Sequence, residues 1–209
     1  GEDCKLSAIG GAEFTLRVGR ERRRIRLRLS GEHNVANAVG AAALAHSLGV
    51  DLGAIRHGLE AVKPFPMRMQ VERWRGIGII DDAYNANPAS MEAALKSLAG
   101  FECLGNRIAV LGDMLELGKE STVRHLELGK QAARLHIDLL YLLGDEAAHV
   151  QRGALLGGMS RDQVIIGKNH RELARKLAGR VKKGDWLLCK GSRGMRMEKV
   201  LAALKEIGA

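Results

Sequence analysis

From Gly76 onward the chain repeats one pattern: a short apolar run ending on glycine or a charged residue, followed by an amphipathic stretch. The runs are GIGII before Asp81, RIAVLGD, LLYLLGD, QVIIGK and DWLLCKG. Among the stretches, Leu173/Ala174/Leu177/Ala178/Val181 and Met197/Val200/Leu201/Leu204 keep the apolar spacing of one helix face. A strand that is apolar along its whole length must be covered on both sides. A chain that alternates such strands with helices joins them by right-handed crossovers into a parallel sheet. The pattern predicts an α/β fold over residues 76–209, a doubly wound, mostly parallel sheet of five or six strands.

Residues 1–75 read differently. Residues 12–18 and 23–29 suggest a hairpin around GRER, and GEHNVANAVGAAALAHSLGV an Ala-rich helix with Gly49 as its stop. A second helix over Leu52–Ala61 runs into VKPFPMRMQ, whose two prolines mark it as a linker. These elements bury little by themselves, so residues 1–75 are expected to be the incomplete tail of a larger domain.

Composition narrows the function classes. The net charge is +9, and residues 1–31 hold eight Lys/Arg against four Asp/Glu. There RRRIRLRLS sets Arg24/Arg26/Arg28 against Ile25/Leu27/Leu29, the alternation of a half-buried strand with a solvated basic face. With aromatics at 3%, few rings are available to stack on bases, so nucleic acid is not the expected partner. No apolar run reaches the roughly 20 residues of a membrane span. GEDCKLSAIGG lacks the order of a signal peptide. The three cysteines, Cys4, Cys103 and Cys189, are odd in number and far apart, which argues against a disulfide framework or zinc site and fits a cytoplasmic protein.

In an open parallel sheet, ligands sit beyond the carboxyl ends of the strands. The unusual residues fall there: Asp81/Asp82, Asp113, Asp145 and Lys190. In KGSRGMRME, Gly191 permits a tight turn, Ser192 is placed to cap a helix, and Arg193 and Arg196 fall in its first turns. Cations there oppose the helix dipole, so they suit a bound carboxylate or phosphate. In DDAYNANP, an N-cap at Asn87 and Pro88 at the first helical position account for the turn, but not for Asp82, Tyr84 and Asn85. In GEHNVAN, His33 or Asn34 can cap the helix. Asn34 and Asn37 lie one turn apart and can read a base edge.

GEHNVANAVGAAALA, MRMQV, DDAYNANPASMEAAL, VLGDMLELG and KGSRGMRME, in this order, resemble the Mur ligase family over essentially the whole chain. The DDAYNANP and KGSR forms resemble its dipeptide-adding branch. That resemblance implies a Rossmann-like C-terminal domain at 76–209, preceded at 1–75 by the end of a central α/β ATPase domain. It implies ATP with Mg²⁺, a UDP-N-acetylmuramoyl-tripeptide and D-Ala-D-Ala as partners, and a monomer in the cytoplasm. The tripeptide carboxylate would be phosphorylated and then attacked by the dipeptide amine. His33, Asn34 and Asn37 would meet adenine, and Arg68 and Asp82 the ribose or phosphates. Tyr84, Asn85 and Asn87 would line the nucleotide cleft. Lys190 and Arg193 would be the catalytic cations, with Ser192 and Asp113 toward the acceptor substrates. These 209 residues contain no G-x-x-x-x-G-K-[ST] loop, so by themselves they are expected to be inactive. Met67 stands where the family more usually carries glycine. The alternative from another class is a stand-alone basic module for an acidic partner or nucleic acid, whose binding would weaken steeply with salt.

Overall fold

The computed structural model describes residues 2–7, 11–29, 31–63 and 65–208. The chain divides into two compact units, Gly1–Phe65 and Pro66–Ala209. The division falls inside the proline-bearing linker and ten residues before the 75/76 boundary read from the sequence. The reason is strand pairing. Residues 70–74 form an edge strand whose Val71 pairs with Ile80, so they belong to the second unit.

In the first unit, β1 (Glu2–Ser7), β2 (Gly11–Val18) and β3 (Glu21–Leu27) form an antiparallel sheet in that order. The expected hairpin is β2–β3; β1 was not expected. The helices α1 (Glu32–Ser47) and α2 (Leu52–Ala61) complete the unit. Phe14, Leu16, Ile25 and Leu27 pack with Val35, Ala38, Ala42, Leu52 and Ile55. The alternation in β3 is as expected: Ile25 and Leu27 are buried, Arg24 and Arg26 exposed. Glu13 forms ion pairs with both Arg24 and Arg26 and so partly neutralises the basic face. Asp51 caps α2 by accepting the N–H groups of Gly53 and Ala54.

The second unit holds β4 (Gln70–Trp74), β5 (Ile77–Asp82), α3 (Pro88–Gly100), β6 (Arg107–Gly112), α4 (Ser121–Arg134), β7 (Leu139–Leu143), α5 (Ala147–Leu156), β8 (Val164–Ile166), α6 (His170–Ala178), β9 (Trp186–Lys190) and α7 (Glu198–Ile207). Its six strands run in the order β4-β5-β9-β6-β7-β8, all parallel except β4. Alternate residues of each strand enter different cores, which is why the runs are apolar throughout. Ile80, Leu111, Leu140, Leu142 and Leu188 meet Met91, Leu95 and Leu98 of α3 and Leu128 of α4. On the other face Ile79, Ile108, Val110, Tyr141 and Leu187 meet Leu173 and Leu177 of α6 and Val200, Leu201 and Leu204 of α7. Two glycines let α4 and α5 touch at the backbone: a Cβ on Gly129 would lie 2.0 Å from the Val150 carbonyl oxygen, and one on Gly153 would lie 1.9 Å from that of Leu126.

Candidate active site

The corner after β5 is built from side chains that serve its own backbone as well as any ligand. Asn87 caps α3 in a reciprocal box with Ser90, and Pro88 occupies the first helical position, as expected. Asp81 Oδ1 accepts the Ala83 N–H at 3.1 Å. Burial pushes the Asp81 carboxyl up despite that N–H, and the nearby charges of Glu198, Asp82 and Glu72 push the same way. Asn85 Oδ1 accepts the N–H of Ala86.

Asp82 has both oxygens engaged: Oδ1 accepts the Met69 N–H at 3.0 Å and Oδ2 pairs with Lys190 Nζ at 2.6 Å. Lys190 is buried at 3% exposure and also donates to the Asn85 carbonyl oxygen at 2.9 Å. The residue expected to face an acceptor is thus a tie between the carboxyl end of β9 and the corner after β5. Two of its three ammonium N–H groups go to the chain.

Ser192 does not cap a helix. Residues Arg193–Met195 form a short 3-10 turn, and α7 starts only at Glu198. Ser192 Oγ instead accepts the Leu115 N–H at 2.9 Å and donates to the Ala86 carbonyl at 3.3 Å, while its own N–H reaches the Asp113 carbonyl. It joins the loops after β5, β6 and β9. Asp113 continues the wiring, its carboxylate accepting the N–H groups of Asp145 at 2.8 Å and Glu146 at 3.3 Å. Burial raises its carboxyl above the usual range, although these two N–H groups oppose the shift. A side chain at Gly144, whose φ is 129°, would collide with that carboxylate.

His125, which sequence reasoning missed, completes the network. It is fully buried; its Nε2 accepts the Met114 N–H at 2.9 Å, which leaves the proton on Nδ1 for the Ser121 carbonyl at 2.8 Å. The signal was a histidine on the buried stripe His125/Leu128/Ala132 of α4, one turn beyond Ser121.

The exposed groups at this edge are fewer. The Arg68 guanidinium lies 4.2 Å from the centre of the Tyr84 ring, and both residues are exposed. Tyr84 N–H donates to the Met67 carbonyl. Met67 and Met69 sit at φ 59° and 49°, so the segment carrying Arg68 is held in a conformation that glycine adopts at no cost. Arg193 is half-exposed and pairs with Glu198 at 3.1 Å. The amide candidates lie in the first unit: Asn34 is half-buried and Asn37 exposed, both on α1. The side chain of His33 lies outside the described residues.

Residues 67–193 match the family described as "Mur ligase, glutamate ligase domain". The chain belongs to the Mur ligase family. UDP-N-acetylmuramoyl-tripeptide–D-alanyl-D-alanine ligase of Escherichia coli (strain K12) is 37% identical over 200 residues, 95% of this chain and 42% of the relative. The ligase of the same name from Bacillus subtilis (strain 168) is 36% identical over 177 residues, 84% of this chain and 38% of the relative. MurF from Acinetobacter baumannii superposes with a TM-score of 0.86 at 33% identity, over 98% of this chain and 44% of that one. The MurF ligase from Thermotoga maritima, solved in complex with ADP, superposes with a TM-score of 0.78 at 28% identity, over 98% of this chain and 45% of that one. This Mur ligase chain therefore spans less than half the length of these relatives. Its mostly parallel six-stranded sheet flanked by helices is the Mur ligase C-terminal fold.

Proposed function

We propose that this chain is part of an ATP-dependent ligase that joins D-Ala-D-Ala to a UDP-N-acetylmuramoyl-tripeptide in the cytoplasm, working as a monomer without nucleic acid or membrane. The observation that carries the reading is 37% identity to a ligase of that name along 95% of the chain. Residues 66–209 are the C-terminal domain, and residues before them are the end of the ATPase domain.

In the reaction, a tripeptide carboxylate oxygen attacks the γ-phosphorus of ATP and ADP leaves. The dipeptide amine then attacks the acyl carbon, phosphate leaves and the nitrogen loses a proton. Arg68 meets a phosphate oxygen, a role supported by its exposed guanidinium lying over the Tyr84 ring. Asn34 and Asn37, with His33, read adenine. Tyr84 and Asn85 contribute wall, while Asn87 mainly caps its helix. Asp82 reaches nucleotide only alongside its ties to Lys190 and Met69. Lys190, Ser192 and Asp113 act by holding the strand-end loops in fixed relation, and Arg193 is the exposed cation among the catalytic candidates. Among the described residues no three His, Cys, Asp or Glu side chains form a cation site, so Mg²⁺ is proposed only as the companion of the nucleotide.

The test is product formation by the complete natural protein that carries this chain. Phosphate release should require ATP, the tripeptide precursor and D-Ala-D-Ala together. Release that ignores D-Ala-D-Ala, or no release, would overturn the reading.

A further inference from the structure

Several cations of the second unit are neutralised by the chain itself. Lys190 pairs with Asp82, Arg193 with Glu198, and Lys205 with Glu72. Arg196 is different. It is exposed, and among the described residues its side chain makes no hydrogen bond, ion pair or ring contact. Its backbone sits at φ 49° and ψ 47°, the left-handed region that disfavours every residue with a Cβ. A glycine would fill this position without strain, yet the chain places there an arginine with no partner inside the fold. Backbone strain of this kind is retained where a side chain has to be held in one place.

The backbone around Arg196 is fixed from three sides. His170 Nε2 donates to the Met195 carbonyl at 2.7 Å, the Arg196 N–H donates to the Arg193 carbonyl, and Cys189 Sγ–H donates to the Met197 carbonyl at 3.3 Å. The neighbouring loop after β6 presents an apolar side chain: Leu115 is 44% exposed, and a Cβ on Gly194 would lie 2.8 Å from its Cδ1. An unpaired guanidinium on a fixed backbone, two residues from the glycine that Leu115 approaches, matches a small apolar molecule that ends in a carboxylate.

We infer that Arg196 holds the C-terminal carboxylate of the incoming dipeptide, with Leu115 against a methyl side chain. The inference rests on the ligase reading above. The chemistry favours this anion over the ones that react. The tripeptide carboxylate becomes an acyl phosphate and the ATP phosphates are transferred or leave. The dipeptide carboxylate takes no part in either step and keeps its charge from entry to product, so a fixed cation suits it. A guanidinium binds it through two parallel N–H donors.

The experiment compares D-Ala-D-Ala with its C-terminal amide as acceptors, using the complete protein and its Arg196→Gly and Arg196→Lys variants. The wild type should favour the free acid over the amide. Arg196→Gly should raise KM for D-Ala-D-Ala roughly ten- to a hundredfold, as expected for a lost charge-assisted pair. It should bring the acid-to-amide preference close to one and leave KM for ATP in place. Arg196→Lys should fall between. Because glycine relieves the strain, the loss should come without a lower melting temperature. The acid-to-amide preference does not depend on how much protein is folded. If Arg196→Gly keeps the wild-type preference, the inference is wrong while the ligase reading stands. A wild type that makes no product from either acceptor overturns both.

Discussion

Lys190→Met should destabilise the second unit more than any surface change, for a reason visible at the end of β9. The Lys190 side chain is 3% exposed and that of Asp82 13% exposed, with 2.6 Å between Nζ and Oδ2. Methionine fills a similar volume but leaves Asp82 without its cation and the Asn85 carbonyl without its donor. Removing one partner of a buried pair costs about 3–5 kcal/mol, because the remaining charge stays out of water. For a unit of this size that is roughly 6–20 °C in melting temperature. Both tryptophans, Trp74 and Trp186, lie in this unit, so their fluorescence during urea unfolding reports it apart from the first unit. Asp82→Asn keeps an oxygen for the Met69 N–H, so the double variant should lose less than the two single losses added, by about 1–3 kcal/mol. If Lys190→Met unfolds within about 1 kcal/mol of wild type, or the double variant is simply additive, the pair is not what holds β9 to the corner.

Two further outcomes follow from the same unit. Asp81 has its carboxyl raised chiefly by burial, so the folded state holds a proton that the unfolded chain has released. This group's contribution is present below the unfolded carboxylate range and is lost as pH rises through the folded value. Asp81→Asn, which keeps an oxygen for the Ala83 N–H, should therefore gain stability relative to wild type as pH rises from acid to neutral. Melting curves that stay parallel across that range would contradict it. Gly129→Ala should cost about 1–3 kcal/mol by forcing α4 from α5, since its Cβ would sit 2.0 Å from the Val150 carbonyl oxygen; urea unfolding followed by tryptophan fluorescence checks this, and an unchanged midpoint refutes it.

The strands and helices of the second unit were legible because burial on both faces writes itself locally, residue by residue, as in LLYLL of β7. The cap of α3 was legible for the same reason, since Asn87 and Ser90 are one turn apart. What pairs over a distance was not. Residues 71–75 read as part of the first unit until Val71 is seen beside Ile80, which moves the boundary between the units. The partner of Lys190 is 108 residues away, so the residue looks like a free catalytic cation in sequence. Ser192 has the type and position of a cap, yet its hydroxyl is claimed by Leu115 from another loop. Asp113 and His125 satisfy backbone N–H groups that no local pattern announces. The chain's residue types gather at the carboxyl edge of the sheet, but their local pattern does not say which of them face outward.

The position of β9 has a consequence for how the unit is made. β9 is the last of the described strands in chain order, yet it lies between β5 and β6 and supplies the ladders to both. Until it arrives, the rest of the sheet is a two-stranded ribbon, β4–β5, and a three-stranded piece, β6–β7–β8, with no pairing between them. Each piece then exposes an inner edge of unpaired N–H and C=O groups flanked by apolar side chains, the kind of surface that recruits other chains. During translation the sheet cannot close before Lys190 has left the ribosome, and a chain stalled short of β9 would carry two open inner edges that the finished sheet pairs with β9.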